Sequence, residues 1–217
     1  MSESRRVTQT MLSQRPREYS AQVAILSLLL MLWVSLLCWT HGPEMSDRLA
    51  AIPQKVILER EYSRLWTGMA VHADLPHFAF NAVFLGLFSY LIYGYFGIWI
   101  YPVSAMFLGG VLTYLPLLTY PSAARLVGAS GLVYLMAGFW LVMYILVERR
   151  LTVTRRLLRA AGVALIVFLP TSFQQEISYR KHTLGFGLGI MQALLHFHLE
   201  KKRIRSAEVF EPEDQEE

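Results

Sequence analysis

The chain has a single cysteine, Cys38, so no internal disulfide can brace it. Lying inside an apolar run, that thiol reads as a packing or lipid-facing group. Charge is also scarce: Asp, Glu, Lys and Arg make up 17% of the residues against 54% hydrophobic, a balance that excludes an ordinary water-soluble domain and fits a membrane protein. No Asp, Glu, Lys or Arg occurs anywhere from residue 76 to residue 124. There is no internal repeat. No HExxH pattern or carboxylate at ligand spacing accompanies the histidines, so neither a metal nor another cofactor is expected. The net charge is +4, but the basic residues fall in short clusters beside apolar runs. That placement points to a lipid bilayer rather than nucleic acid as the partner.

What remains is a succession of long apolar stretches. Residues 21–40 are uncharged and about 20 long, enough to cross roughly 30 Å of hydrocarbon at a helical rise of about 1.5 Å per residue. The run exceeds a signal-peptide core and no small-x-small cleavage pattern follows, so it reads as a first span. Residues 76–124 need two spans with a turn, for which Gly94-Tyr95-Phe96-Gly97 is the evident candidate. Residues 126–147 give a fourth span, and the shorter runs 160–175 and 183–199 a fifth and a sixth, with Pro170 at the fifth's outer end. The fold expected is therefore all-α, a polytopic bundle of six transmembrane helices. A tail covers residues 1–19, the membrane domain 20–199 with an outer loop at 41–76, and a basic then acidic tail 200–217. The acidic end of that tail reads as disordered.

Orientation follows from Lys and Arg, which short cytoplasmic loops retain in excess. Arg5, Arg6, Arg15 and Arg17 precede the first span; Arg149, Arg150, Arg155, Arg156 and Arg159 follow the fourth; Lys201, Lys202, Arg203 and Arg205 follow the sixth. An even number of spans puts all three clusters on one side, with both termini cytoplasmic. In the outer loop, Ile52, Val56, Ile57, Leu58, Tyr62, Leu65 and Trp66 interleave with charged residues, a pattern for an amphipathic helix lying in the interface.

Polar residues at membrane depth are costly and are functional candidates by default. His77 and Asn81 open the second span, Ser130 the fourth and His182 the sixth, all at outward ends. In Gly128-Ala129-Ser130-Gly131 the serine fits two roles: a helix N-cap, or a nucleophile whose neighbouring orphan N–H groups and helix dipole stabilise an oxyanion. A serine needs an adjacent base, and His182 opens a different span at the same level. Gly185 and Gly189 after it form a small-xxx-small face; packed on the fourth span near Gly131, that face would bring His182 to Ser130. Without Ser130, the same pattern would be generic helix packing. His77 and Asn81, four apart, share a face and can both donate hydrogen bonds, either as oxyanion groups or as polar glue between helices.

Taken together, these motifs resemble the rhomboid intramembrane serine proteases: Gly128-Ala129-Ser130-Gly131 with Tyr134 one turn on, His182 followed by Gly185 and Gly189, and His77-Phe78-Ala79-Phe80-Asn81, in the family's order from about residue 64 to 199. The resemblance implies Ser130 as nucleophile, His182 as general base, and His77 and Asn81 with the Ser130 backbone N–H as the oxyanion site. It also implies that Gly128 supports that site, that Tyr134 packs on the His182 ring and that His72 is structural. Arg64 and Trp66 look like the family's Trp-Arg region with altered order. Arg180-Lys181 stand before His182 where the family has small residues, and Pro76 before His77 is unusual though tolerated in a first helical turn. The activity implied is cleavage of transmembrane segments of other membrane proteins near the outer face; short outer loops and compact length point to a bacterial inner membrane, and hydrophilic Ser172, Gln174 and Gln175 beside the short fifth span to a mobile lid or lateral gate. The alternatives are a catalytically silent relative that captures transmembrane helices, and a small transporter. A transporter would need polar groups spread through the spans.

Overall fold

The computed structural model describes residues 6–168 and 179–211. Eight α-helices follow one another among them: α1 (Ser20–His41), α2 (Pro43–Leu49), α3 (Arg64–Ala70), α4 (Leu75–Phe96), α5 (Ala105–Leu117), α6 (Ser130–Val147), α7 (Val153–Phe168) and α8 (Tyr179–Ser206). Wider helical turns at Gln54–Leu58 and Trp99–Ser104 complete the outer loop and lead into α5. Among the described residues four stretches, α1, α4, Trp99–Leu117 and α6, are long and apolar enough to cross a membrane. Their outward faces carry bare apolar side chains such as Leu26, Trp33, Val83 and Phe107, a coat that suits hydrocarbon and not water. The protein is an all-α polytopic membrane protein. α7, with 16 residues, and the long α8 pack against α6 alongside the four. The remainder of the expected fifth span, with Pro170 and the lid residues Ser172, Gln174 and Gln175, lies outside the described residues.

α6 is the axis of the bundle. Leu132, Val133, Tyr134, Leu135, Met136, Ala137 and Phe139 are all buried within it. α8 runs parallel to it at backbone contact. A Cβ on Gly185 would stand 2.5 Å from the Gly131 carbonyl oxygen, one on Gly189 2.0 Å from that of Leu135, and one on Gly138 2.4 Å from that of Phe186. Only glycine permits such approach, and dispersion between the backbones then replaces the hydrophobic drive that lipid cannot supply. α4 lies antiparallel to α1. Bonds such as Tyr101 Oη to Ser27 Oγ (2.7 Å) and Gln192 Nε2 to Ser104 Oγ (2.6 Å) pair polar groups between helices.

Local chemistry explains the helix ends. Asp74, in extended backbone, caps α4 by accepting from the His77 N–H at 2.7 Å, and Pro76 sits in the first turn, where no donor is required. α4 ends at Gly97, whose φ of +86° suits glycine and whose N–H donates to Tyr93 and Ile92 carbonyls. The predicted turn over 94–97 is thus shorter than expected. Gly94 stays helical because Pro16 and Ser20 pack on its bare Cα.

Two further expectations need correction. The outer loop is not one amphipathic helix but the separate pieces α2, Gln54–Leu58 and α3. Arg64 explains the break: it is buried at 8% exposure, its guanidinium donating to the Asp47 and Ala50 carbonyls and pairing with Glu61, which fastens α3 onto the end of α2. The C-terminal tail is also ordered further than its composition suggests. α8 continues to Ser206, and β2 (Val209–Phe210) pairs antiparallel with β1 (Val7–Gln9). Glu208 pairs with Arg149 and Arg205, fastening the C-terminal tail to the end of α6.

The molecule therefore has two chemically different ends. Arg17, bonded through its N–H to the Gly94 carbonyl, gathers with Arg149, Arg156 and Arg205 at the ends of α4, α6 and α8. Ser130, His182, His77 and Asn81 lie at the opposite end.

Candidate functional site

Ser130 is the first residue of α6. Ala129 holds the cap position and the Ser130 side chain caps nothing, so this serine does not fill the N-cap role. Its hydroxyl is half-buried and, among the described residues, makes no hydrogen bond, with His182 or any other group. His182 lies in the first turn of α8, at 5% exposure. Its ring stacks on Tyr134, centroids 4.2 Å apart and planes 18° apart, one helical turn beyond Ser130. Tyr134 is itself fixed, donating to the Val167 carbonyl at 3.1 Å and meeting Phe168 edge to face. The glycine contacts between α6 and α8 thus place the serine and the histidine at the same end of two touching helices.

The turn ahead of Ser130 is the most constrained backbone in the site. Gly128 has φ +95°, the left-handed region that favours glycine. A Cβ there would also stand 2.7 Å from the His77 ring at both Cε1 and Nε2. The Gly128 N–H donates to the Gly68 carbonyl at 2.9 Å, and Ala51 and Leu126 exchange two backbone bonds just before it. The outer loop therefore braces the segment that carries the serine. Trp66, its Nε1 donating to the Met106 carbonyl at 2.9 Å and its ring on Gly110, ties the same loop to α5.

His77 and Asn81 share a face of α4, as their spacing requires. Asn81 is fully buried and donates from Nδ2 to the His77 carbonyl at 3.1 Å, while its Oδ1 is buried with no hydrogen-bond partner among the described residues. Both side chains approach Gly128. They converge on the turn before Ser130.

His72, in the turn between α3 and α4, contributes structure. Its Nδ1 lies 3.0 Å from Ser35 Oγ and 3.1 Å from the Ala70 carbonyl, its own carbonyl accepts from Trp39 Nε1, and its Nε2 accepts from the Ala129 N–H at 3.4 Å. Accepting at Nε2 requires the proton on Nδ1, hence a neutral ring. Burial, reinforced by the neighbouring His77, holds it in that form by pushing its pKa down to about 3.

One site residue is not identifiable from the sequence. Lys181 is 2% exposed, and its ammonium donates to the Gly128 carbonyl at 3.1 Å. Its stem lies on Gly131, where a Cβ would meet Cγ and Cε at 2.7 Å. The only signal was its position beside His182, and a lysine next to a basic neighbour ordinarily reads as interfacial. Among the described residues no group of three His, Cys, Asp or Glu side chains could hold a metal ion.

Comparison with known proteins agrees with the architecture. The family model for the Rhomboid domain matches residues 59–199, a span that contains α3, the turn before Ser130, α6 and the apolar part of α8. No curated protein matches the chain.

Proposed function

Because the chain belongs to the rhomboid family of intramembrane proteases, we propose that it is an active serine endopeptidase that cleaves transmembrane segments with Ser130 as nucleophile and His182 as general base. The observation that carries this reading is the parallel glycine seam between α6 and α8, which sets His182 on Tyr134 one turn from Ser130, at the same end as His77 and Asn81. A substrate-free catalytic pair is often loosely joined and tightens on binding, so the unbonded hydroxyl is compatible with the role.

The chemistry proceeds in two halves. His182 accepts the Ser130 proton as Oγ bonds to the scissile carbonyl carbon. The oxyanion that forms takes hydrogen bonds from the Ser130 N–H at the positive end of the α6 dipole and from His77 and Asn81. His182 then gives the proton to the leaving nitrogen as the C–N bond breaks. Water, deprotonated by the same imidazole, releases the acyl group and restores Ser130. The substrate helix must unwind locally, since intact helical carbonyls are already bonded. We count α7 and α8 as the fifth and sixth spans. The basic end is then cytoplasmic by the positive-inside rule and the site opens to the opposite side, as in a bacterial inner membrane.

Cleavage of a model transmembrane substrate by the purified protein in detergent tests the assignment. Wild type is expected to cut, and Ser130→Ala and His182→Ala to fall by at least about 10³-fold. Binding of the substrate without cleavage by wild type would favour the silent, helix-capturing alternative.

A further inference from the structure

The peptide unit joining Gly128 to Ala129 is gripped at both ends. Its carbonyl accepts from the Lys181 ammonium at 3.1 Å, and its N–H, which points the opposite way in a trans peptide, donates to His72 Nε2 at 3.4 Å. Lys181 belongs to α8 and His72 to the turn before α4, so two separate elements hold one plane of atoms. Neither grip is needed for chain connectivity. The lysine's placement is also unfavourable by itself: a buried cation is costly at membrane depth, and an ammonium near the N-terminus of α6 opposes that helix's dipole.

We propose that Lys181 is a positioning residue for the hydrolysis assigned above: with His72 it clamps the Gly128–Ala129 peptide so that the next residue, Ser130, and its backbone N–H are presented in one fixed direction. The inference rests on that functional reading. Gly128, at φ +95°, has the freedom to let this peptide rotate, because glycine populates alternative regions at little cost. Rotation would swing the turn from which the nucleophile departs. Holding the carbonyl with a charged donor removes that freedom, and it polarises the amide so that its N–H becomes a stronger donor to His72. Glycine at 131 is a condition of the device, since any Cβ there would collide with the lysine stem.

Lys181→Met keeps an unbranched stem on Gly131 and removes the cation; Lys181→Gln keeps a neutral donor. Cleavage of the model transmembrane substrate is measured with both, alongside wild type and Ser130→Ala, as is the rate at which a fluorophosphonate labels Ser130. Expected for Lys181→Met is a fall in kcat and in labelling rate of roughly 10- to 100-fold, the size of one lost hydrogen bond to a charged group, with KM within about threefold. Lys181→Gln should recover part of both. A kcat for Lys181→Met within twofold of wild type overturns the clamp while leaving the protease assignment intact. Should Lys181→Met fail to fold, Lys181→Ala with and without added ethylammonium decides: recovery of rate by the amine supports the clamp, and no recovery in a folded variant overturns it. A wild type that neither cleaves nor labels brings down the assignment and the clamp together.

Discussion

The two ends of the bundle are held by different kinds of force. At the site end the fixing contacts are buried and specific: backbone against glycine, a ring on a ring, an ammonium on one carbonyl. At the basic end they include ion pairs in which a buried carboxylate meets a water-facing arginine, such as Arg149–Glu208 and Arg150–Glu148, together with a short two-stranded ladder. Buried contacts at backbone distance tolerate little displacement, because interiors are close-packed and cannot relax around an added atom. Ion pairs with one partner in water gain modestly, on the order of 1 kcal/mol, because the exposed arginine is screened by salt. The site end is therefore expected to be brittle and the basic end forgiving.

The largest expected effect is on the helix seam. Gly189→Ala would put a methyl 2.0 Å from the Leu135 carbonyl oxygen, forcing α8 away from α6 and carrying His182 with it. Misplacement of a catalytic group by about 1 Å costs on the order of 100-fold in rate, so cleavage should fall at least that far, with a lowered melting temperature. Gly187→Ala, on the same helix but with nothing among the described residues within 4 Å of its added Cβ, should leave both unchanged. Equal behaviour of the two variants would break the comparison. Next in size is Gly128→Ala, which strains a positive φ and meets the His77 ring. Loss of roughly 10- to 100-fold in kcat is expected, about what displacing one oxyanion donor costs, and kinetic analysis in detergent measures it. Smallest is Glu208→Gln at the basic end. A shift of a few degrees in melting temperature with activity within twofold is expected; a loss of activity comparable to Gly128→Ala would show that the two ends are coupled.

The parts of this molecule that were legible in the sequence are those where one residue type has one physical use. Gly185 and Gly189, four apart in an apolar run, announce a close helix face, and the absence of charge over 76–124 demands membrane. Arg64 was harder, because a charged residue among apolar neighbours suits an interfacial helix equally well until the Asp47 and Ala50 carbonyls are seen beneath it. Gly94 looked like part of a turn because glycine serves both turns and close packing, and the packing partner, Pro16, is far away in sequence. Lys181 was illegible as a buried group since its partner, the Gly128 carbonyl, is a backbone atom that leaves no mark in composition. The β1–β2 pairing of the tails was hidden for the same reason: strands of two or three residues carry no periodicity.

The contrast between the ends matters for function only if the brittle end houses the nucleophile and its base. Mass-spectrometric mapping of the residue modified by a fluorophosphonate, in wild type and in His182→Ala, tests that most directly. The adduct is expected on Ser130 in wild type and should be nearly absent from His182→Ala after the same exposure. An adduct on a different residue, or Ser130 modified equally fast without the imidazole, would contradict it.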